Sequence, residues 1–430
     1  MGLITAAILL GIAILNAFRE KNIYNLMTVF CFYWSSACFI AIFRPYEINK
    51  VSGSTFSIIL IGCLGFSAGY IFRNSKQYRE IRFKRQLQQN VSYEFKRMPI
   101  FILAAFTAFY GLFKSFVISR LVSTGVDYSS VRNLYAAADT RVIFGVFDNI
   151  VNVFVYLPGV FVLTAVAIID FFVKKRNKFI FICAIISVVT NMYITSGRFI
   201  LLAIIADIIY MLIFYNRKET VMLRLKKVNK KVKLLIVLSI VAIFVLTNVR
   251  FNDSFQARGV TTSSHFVLYY MGCVPLMDHW IDVIQSQESI TYGMASIHGF
   301  VHPIVLLLKL IGMPEPTLYS YTTDLVENMQ TFIYVSSDRA LNAFSSIFLY
   351  LYLDMRVFGV FIGMIIYGVI CANVYNNIKE KINVRTMMMF MLIMQGFTQV
   401  MVRWPFYRGP YVVAIFYSLL LVKRKYESEE

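Results

Sequence analysis

Phe199-Ile-Leu-Leu-Ala-Ile-Ile-Ala-Asp-Ile-Ile-Tyr-Met-Leu-Ile-Phe-Tyr215 is the stretch that decides the fold class. Asp207 is its single charge, and its apolar residues run continuously instead of alternating. Such a run reads as a helix long enough to enter a hydrocarbon core of about 30 Å. In lipid every backbone amide and carbonyl must be paired within the protein, which leaves helices or a closed barrel. A barrel strand would alternate apolar and polar residues, so helices are expected.

Similar runs recur along the whole chain. We read about eleven spans from apolar length: 2–18, 23–43, 53–72, 98–118, 148–172, 179–195, 199–215, 234–248, 357–378, 386–402 and 410–422. The expected fold class is an all-α polytopic membrane protein, a single integral membrane domain over 1–430. The first run lacks a basic leader and is followed by Arg19 and Lys21, so it reads as a retained helix and not as a signal peptide.

The composition agrees. Of 430 residues, 58% are hydrophobic, 16% aromatic and 15% charged, with mean hydropathy +0.66. A soluble domain carries roughly 25% charged residues. A soluble enzyme, a disordered chain and a secreted disulfide scaffold are thereby excluded. The net charge of +19 reflects 42 Lys and Arg against 23 Asp and Glu. Two thirds of those cations fall in the connections 19–22, 73–97, 174–178, 216–233, 379–385 and the tail from 423. The bias assigns these to the cytoplasm, with the N-terminus outside and the C-terminus inside. It explains the basic balance without nucleic acid as a partner. Five of the six cysteines lie in apolar runs, where the thiol acts as a small hydrophobe, and no pair has metal-ligand spacing.

Residues 249–356 form one large, mostly extracytoplasmic segment between the eighth and ninth spans. It holds an amphipathic stretch (269–284) and apolar runs at 297–313 and 340–353, expected to be re-entrant or interfacial. All four histidines lie in it. His298 and His302 are one helical turn apart, a spacing that zinc could use, but no third ligand is evident and no metal is expected.

The arginines that face outward are more informative. Arg198 follows Thr195-Ser196-Gly197 in a turn with almost no loop, pinned at the outer boundary. Arg250 and Arg258 follow the eighth span, Arg339 and Arg356 bracket the last outer apolar run, and Arg403 and Arg408 flank the final outer turn. Guanidinium forks match phosphate oxygens and keep their charge. Arg198, Arg250, Arg258 and Arg339 are the candidates for binding a lipid diphosphate. Asp324, Asp338, Asp354 and His298 are the candidates for a general base or sugar contact, beside Glu327, Tyr319, Tyr321 and Tyr334. Within the spans, Asp207 and Lys114 are the main charges, and Asp170 is placed to pair with Lys174.

Three local features resemble those of bacterial oligosaccharide repeat-unit polymerases of the O-antigen and capsule (Wzy) type. They are Ser196-Gly197-Arg198 opening an apolar helix, Tyr292-Gly293 leading through Pro303 to Pro314, and Asn342 through Asp354 followed by Phe358-Gly359. The resemblance implies a glycosyltransferase with GT-C-like architecture in the cytoplasmic membrane. Its donor would be a growing glycan on undecaprenyl diphosphate and its acceptor a lipid-linked repeat unit. No cofactor is implied. A chain-length regulator and a flippase are the partners it suggests, with membrane lipids around the chain. An O-antigen ligase would share the arginine logic. A lipid-linked oligosaccharide flippase or other transporter is the non-enzyme alternative.

Overall fold

The computed structural model describes residues 1–75, 91–126, 144–173, 177–195, 197, 199–215, 262–336, 340–342 and 345–426. Of the sequence-derived candidates, Arg198, Arg250, Arg258, Asp338 and Arg339, and the apolar run 234–248, lie outside the described residues.

The chain is mostly helical, consistent with an all-α membrane protein. The order is α1 (Gly2–Glu20), α2 (Leu26–Ile42), α3 (Gly53–Arg73), β1 (Val91–Phe95), α4 (Arg97–Ser123), α5 (Val146–Val151), α6 (Leu157–Phe172), α7 (Lys178–Thr195) and α8 (Phe199–Tyr215). After these come α9 (Thr262–Met271), α10 (Cys273–Ser286), α11 (Met294–Leu310), α12 (Thr317–Asn328), β2 (Ile333–Tyr334) and β3 (Ala340–Leu341). Last are α13 (Ser346–Glu380), α14 (Val384–Phe397), α15 (Gly409–Leu420) and β4 (Val422–Tyr426). Among the described residues, six helical stretches are long and apolar enough to cross a membrane, and five shorter helices are apolar. Leu15, Phe18 and Phe109 are more than 70% exposed, a surface suited to lipid.

Packing follows from small residues and interhelical hydroxyls. α1 and α2 run antiparallel: Ser35 Oγ donates to the Ala6 carbonyl at 2.7 Å, and Asn16 Nδ2 donates to Thr28 Oγ1 at 2.9 Å. α3 lies against α13 so closely that a Cβ on Gly69 would meet the Ile365 carbonyl, and one on Gly368 the Phe66 carbonyl. Glycine permits this approach, and the gain is dispersion contact along two long helices. Phe30, Phe66, Trp34 and Phe348 fill the centre, with Phe30 and Phe66 stacked at 4.2 Å.

Two carboxylates fix helix starts from other elements. Asp278 on α10 accepts from Ser52 N at 3.1 Å and Thr55 Oγ1 at 2.6 Å, at the head of α3. Asp354 does the same for α11. Negative charge at these ends meets free amides and the positive end of the helix dipole.

The sequence reading separates an apolar run at 340–353 from a span at 357–378. The structure divides there too: within Ser346–Glu380, non-helical backbone angles at Met355 and Arg356 separate two helices. The break falls where the Leu353 carbonyl is taken by the Thr291 amide at 2.9 Å. Asp170 Oδ2 accepts from Asn177 N at 2.6 Å, closing the turn before α7, while Lys174, its expected partner, lies outside the described residues.

The two lone intramembrane charges of the sequence have partners. Lys114 on α4 is fully buried and donates to Asp148 Oδ1 at 2.8 Å, Asp148 Oδ2 at 3.0 Å and Asn152 Oδ1 at 3.0 Å. Tyr110 OH and Asn152 Nδ2 complete the Asp148 shell, each at 2.6 Å. Asn152 opens a π-helical turn, Asn152–Tyr156, joining α5 to α6. Asp207 on α8 is buried and accepts from Gln395 Nε2 on α14 at 3.1 Å.

Candidate functional site

α14 has 14 residues and α15 has 12. At a rise of 1.5 Å per residue they are only about 21 and 18 Å long. Both start or end beside the β1–β4 ribbon: Arg385 of α14 stacks over Tyr93, and α15 runs directly into β4. Their 398–408 connection lies at the end of both helices away from the ribbon and forms a floor there. Ser345 N and Ile347 N donate to the Val402 and Val400 carbonyls at 3.0 and 2.8 Å, tying the floor to α13. Trp404 Nε1 donates to the Ser296 carbonyl at 2.8 Å, tying it to α11.

α11 and α12 close over this floor. A Cβ on Gly299 would collide with the Phe406 carbonyl, so the glycine lets α11 lie directly on the Pro405–Tyr407 turn. His298, one residue earlier, then enters a ring stack. Its imidazole lies 4.1 Å from the Tyr407 ring at 12°, and 4.8 Å from the Tyr319 ring at 10°. His298 Nδ1 is 3.0 Å from the Tyr407 carbonyl, and Nε2 is 3.2 Å from Thr323 Oγ1. A carbonyl can only accept, so Nδ1 carries the proton and Nε2 keeps its lone pair. Thr323 Oγ1 also donates to the Tyr319 carbonyl at 2.9 Å, so its single proton has two claimants. His302 stands one turn on, with its Nδ1 hydrogen-bonded to Tyr319 OH at 2.5 Å.

Burial governs the charge state here, on a helix outside the spans read from sequence. It pushes His298 and His302 down to about 4, with the backbone contact to Tyr407 opposing it at His298. Both rings are neutral near pH 7. The Tyr319 phenol is pushed up to about 12 by the same burial. Arg403 and Glu327 lie within electrostatic range of Tyr407, and Arg403 and Arg408 within range of Tyr350. The cluster thus joins a neutral imidazole whose Nε2 lone pair faces the Thr323 hydroxyl, stacked phenols, and charges of both signs. It can accept a proton from a hydroxyl and face planar or ring-shaped ligands.

The candidates read from sequence fall into different places. His298 is at the centre of this cluster. Asp324 is exposed on α12, next to Thr323. Asp354 is buried, and its carboxylate accepts from Thr291 Oγ1 at 2.6 Å, Ala295 N at 2.9 Å, Ser296 N at 2.8 Å and Ser296 Oγ. Four donors occupy it, so this carboxylate could act as a base only by giving up the start of α11. Its role in this geometry is to position the helix that carries His298. Among the described residues no cluster of three or more His, Cys, Asp and Glu could hold a metal.

Tyr407 and Thr323 were not singled out from sequence. The available signal was Trp404-Pro405-Phe406-Tyr407-Arg408-Gly409-Pro410, where two prolines and a glycine bracket aromatics and a cation. Compared with known proteins, the chain matches no family model, no curated protein and no solved structure.

Proposed function

We propose that the chain is a membrane glycosyltransferase that polymerises lipid-linked oligosaccharide repeat units on the outer face of the bacterial cytoplasmic membrane. The growing glycan passes from undecaprenyl diphosphate to a sugar hydroxyl of a lipid-linked repeat unit. The observation that carries this reading is the buried imidazole of His298, whose Nδ1 is committed to the Tyr407 carbonyl and whose Nε2 lone pair faces the Thr323 hydroxyl. As the acceptor oxygen bonds to the anomeric carbon, its proton goes to Nε2. The anomeric C–O bond breaks, and the lipid diphosphate leaves with the electron pair.

Tyrosine rings around the imidazole suit sugar faces. Arg403 and Arg408, together with Arg198, Arg250, Arg258 and Arg339, supply the charge that a departing diphosphate requires. Asp324 and Asp338 remain candidates for sugar hydroxyl contacts. A flippase and a chain-length regulator would act before and alongside this step.

The test is glycan length in a null strain carrying wild type, Arg198→Ala or His298→Asn, at matched protein levels. The reading expects single repeat units in the null, a ladder with wild type, and no ladder with either variant. Long lipid-linked polymer accumulating in the null would identify a ligase instead. An unchanged ladder in a null with no second polymerase would refute the reading.

A further inference from the structure

At the other end of the bundle, β1 pairs antiparallel with β4, with Val91 opposite Tyr426 and Phe95 opposite Val422. A two-stranded ribbon alone is marginal in water. This one is anchored because β1 leads into α4, β4 continues α15, and Lys96 N donates to the Leu421 carbonyl at 2.8 Å. Arg385 of α14 reinforces it, stacked 5.4 Å from the Tyr93 ring and donating to Tyr93 OH at 3.2 Å.

The ribbon is strongly basic where it meets apolar surface. Lys96, Arg97, Lys423 and Arg424 are all exposed. Glu94, opposite Lys423 in the ladder, is the one acid among them. Glu94, Phe95, Lys96, Arg97, Met98, Pro99 and Lys423 line an open groove between the ribbon and the head of α4. Directly beyond it, Met98, Ile102 and Leu420 are 70%, 65% and 62% exposed. Cations therefore stand over the groove at the level where the apolar, lipid-suited surface begins. That order, charge first and hydrocarbon next, matches a phospholipid entering head-first into the groove with its chains along α4 and α15.

We propose that this groove is a binding site for an anionic phospholipid headgroup, held by Lys96, Arg97 and Lys423. The phosphate sits between the three cations, which outnumber Glu94 in the groove lining. The site does not depend on the glycosyltransferase reading and would stand if that reading failed.

The experiment uses full-length protein in detergent, with added phosphatidylglycerol, phosphatidylcholine or inorganic phosphate. Thermal unfolding and native mass spectrometry of retained lipid are measured together. Phosphatidylglycerol should raise the melting midpoint above the phosphatidylcholine value and survive as a bound adduct. Lys96→Gln/Arg97→Gln/Lys423→Gln should lose that headgroup-specific shift and the adduct, while Arg120→Gln, at the far end of α4, keeps both. If the triple variant does not fold, Arg97→Gln alone should lower adduct occupancy several-fold. Equal shifts with the two lipids, or a specific shift that survives the triple variant, would overturn the proposal. Reproduction of the shift by inorganic phosphate alone would also overturn it, as a free-anion site.

Discussion

His298 couples two properties that can be separated by substitution. Asparagine can donate to the Tyr407 carbonyl in place of Nδ1–H but has no basic nitrogen at the Nε2 position. His298→Asn should therefore keep the fold and lower transfer by about 10²–10⁴-fold, the usual contribution of a general base. Glycan ladders at matched protein level would report it; a wild-type ladder would remove His298 from the chemistry. The same residue predicts a pH effect on stability. His298 and His302 are held near 4 in the fold, against about 6.5 in an unfolded chain. Between those values the unfolded chain binds protons that the folded chain refuses, so stability is full above about 6.5 and falls as pH drops toward 4. Melting curves from pH 7.5 to 4.5 should show this loss, and His298→Asn/His302→Asn should flatten it. His298 was legible in the sequence because imidazole is rare in so apolar a chain. Of its partners, Tyr319 was named from the sequence as well, whereas Tyr407 and Thr323 were not. The contact with Tyr407 spans 109 positions and uses a backbone carbonyl, which every residue has.

At the level of elements, apolar length located the helices well and their polar joints poorly. Read from sequence, Lys114 is an isolated charge within a span. It is in fact half of a buried pair with Asp148, a residue 34 positions away. No local pattern marks that match, nor the π-helical turn beside it. The pairing gives an asymmetric expectation. Lys114→Met leaves Asp148 buried and unpaired, a change that costs about 3–5 kcal/mol when one partner of such a pair is removed. Lys114→Met/Asp148→Leu removes both charges and should recover most of the loss. A double-mutant cycle on melting in detergent would measure the coupling. A double variant no better than Lys114→Met would mean that Asn152 and Tyr110, not the charge pair, hold α4 to α5. The break within α13 was placed by the sequence, between the runs 340–353 and 357–378, but its cause was not. That cause is a distant amide, Thr291 N, competing for the Leu353 carbonyl, which no local pattern shows.

For the whole molecule, contacts between distant elements determine which end of the bundle each segment occupies. Phe214, at the end of α8, packs on Tyr375 at 5.5 Å, and Asn22 Nδ2 donates to Tyr375 OH at 2.7 Å. Residue 215 therefore lies at the end of the bundle where α1 stops and α2 begins. Asp278 instead binds Ser52 and Thr55, at the head of α3. That is the opposite end, since α2 carries the chain across in 17 residues, about 25 Å. Between 215 and 278 the chain must change sides an odd number of times. Only one apolar run long enough exists there, 234–248, which lies outside the described residues. The basic stretch 216–233 before it and the segment from 249 after it should accordingly face opposite sides. The check uses a chain whose six native cysteines are replaced, carrying one new cysteine at Asn229 or at Ser254. An impermeant maleimide applied to intact cells should label Ser254→Cys, and should label Asn229→Cys only after permeabilisation. The reverse pattern would keep the crossing and invert the orientation given by the basic residues. Labelling of both from one side would remove the crossing.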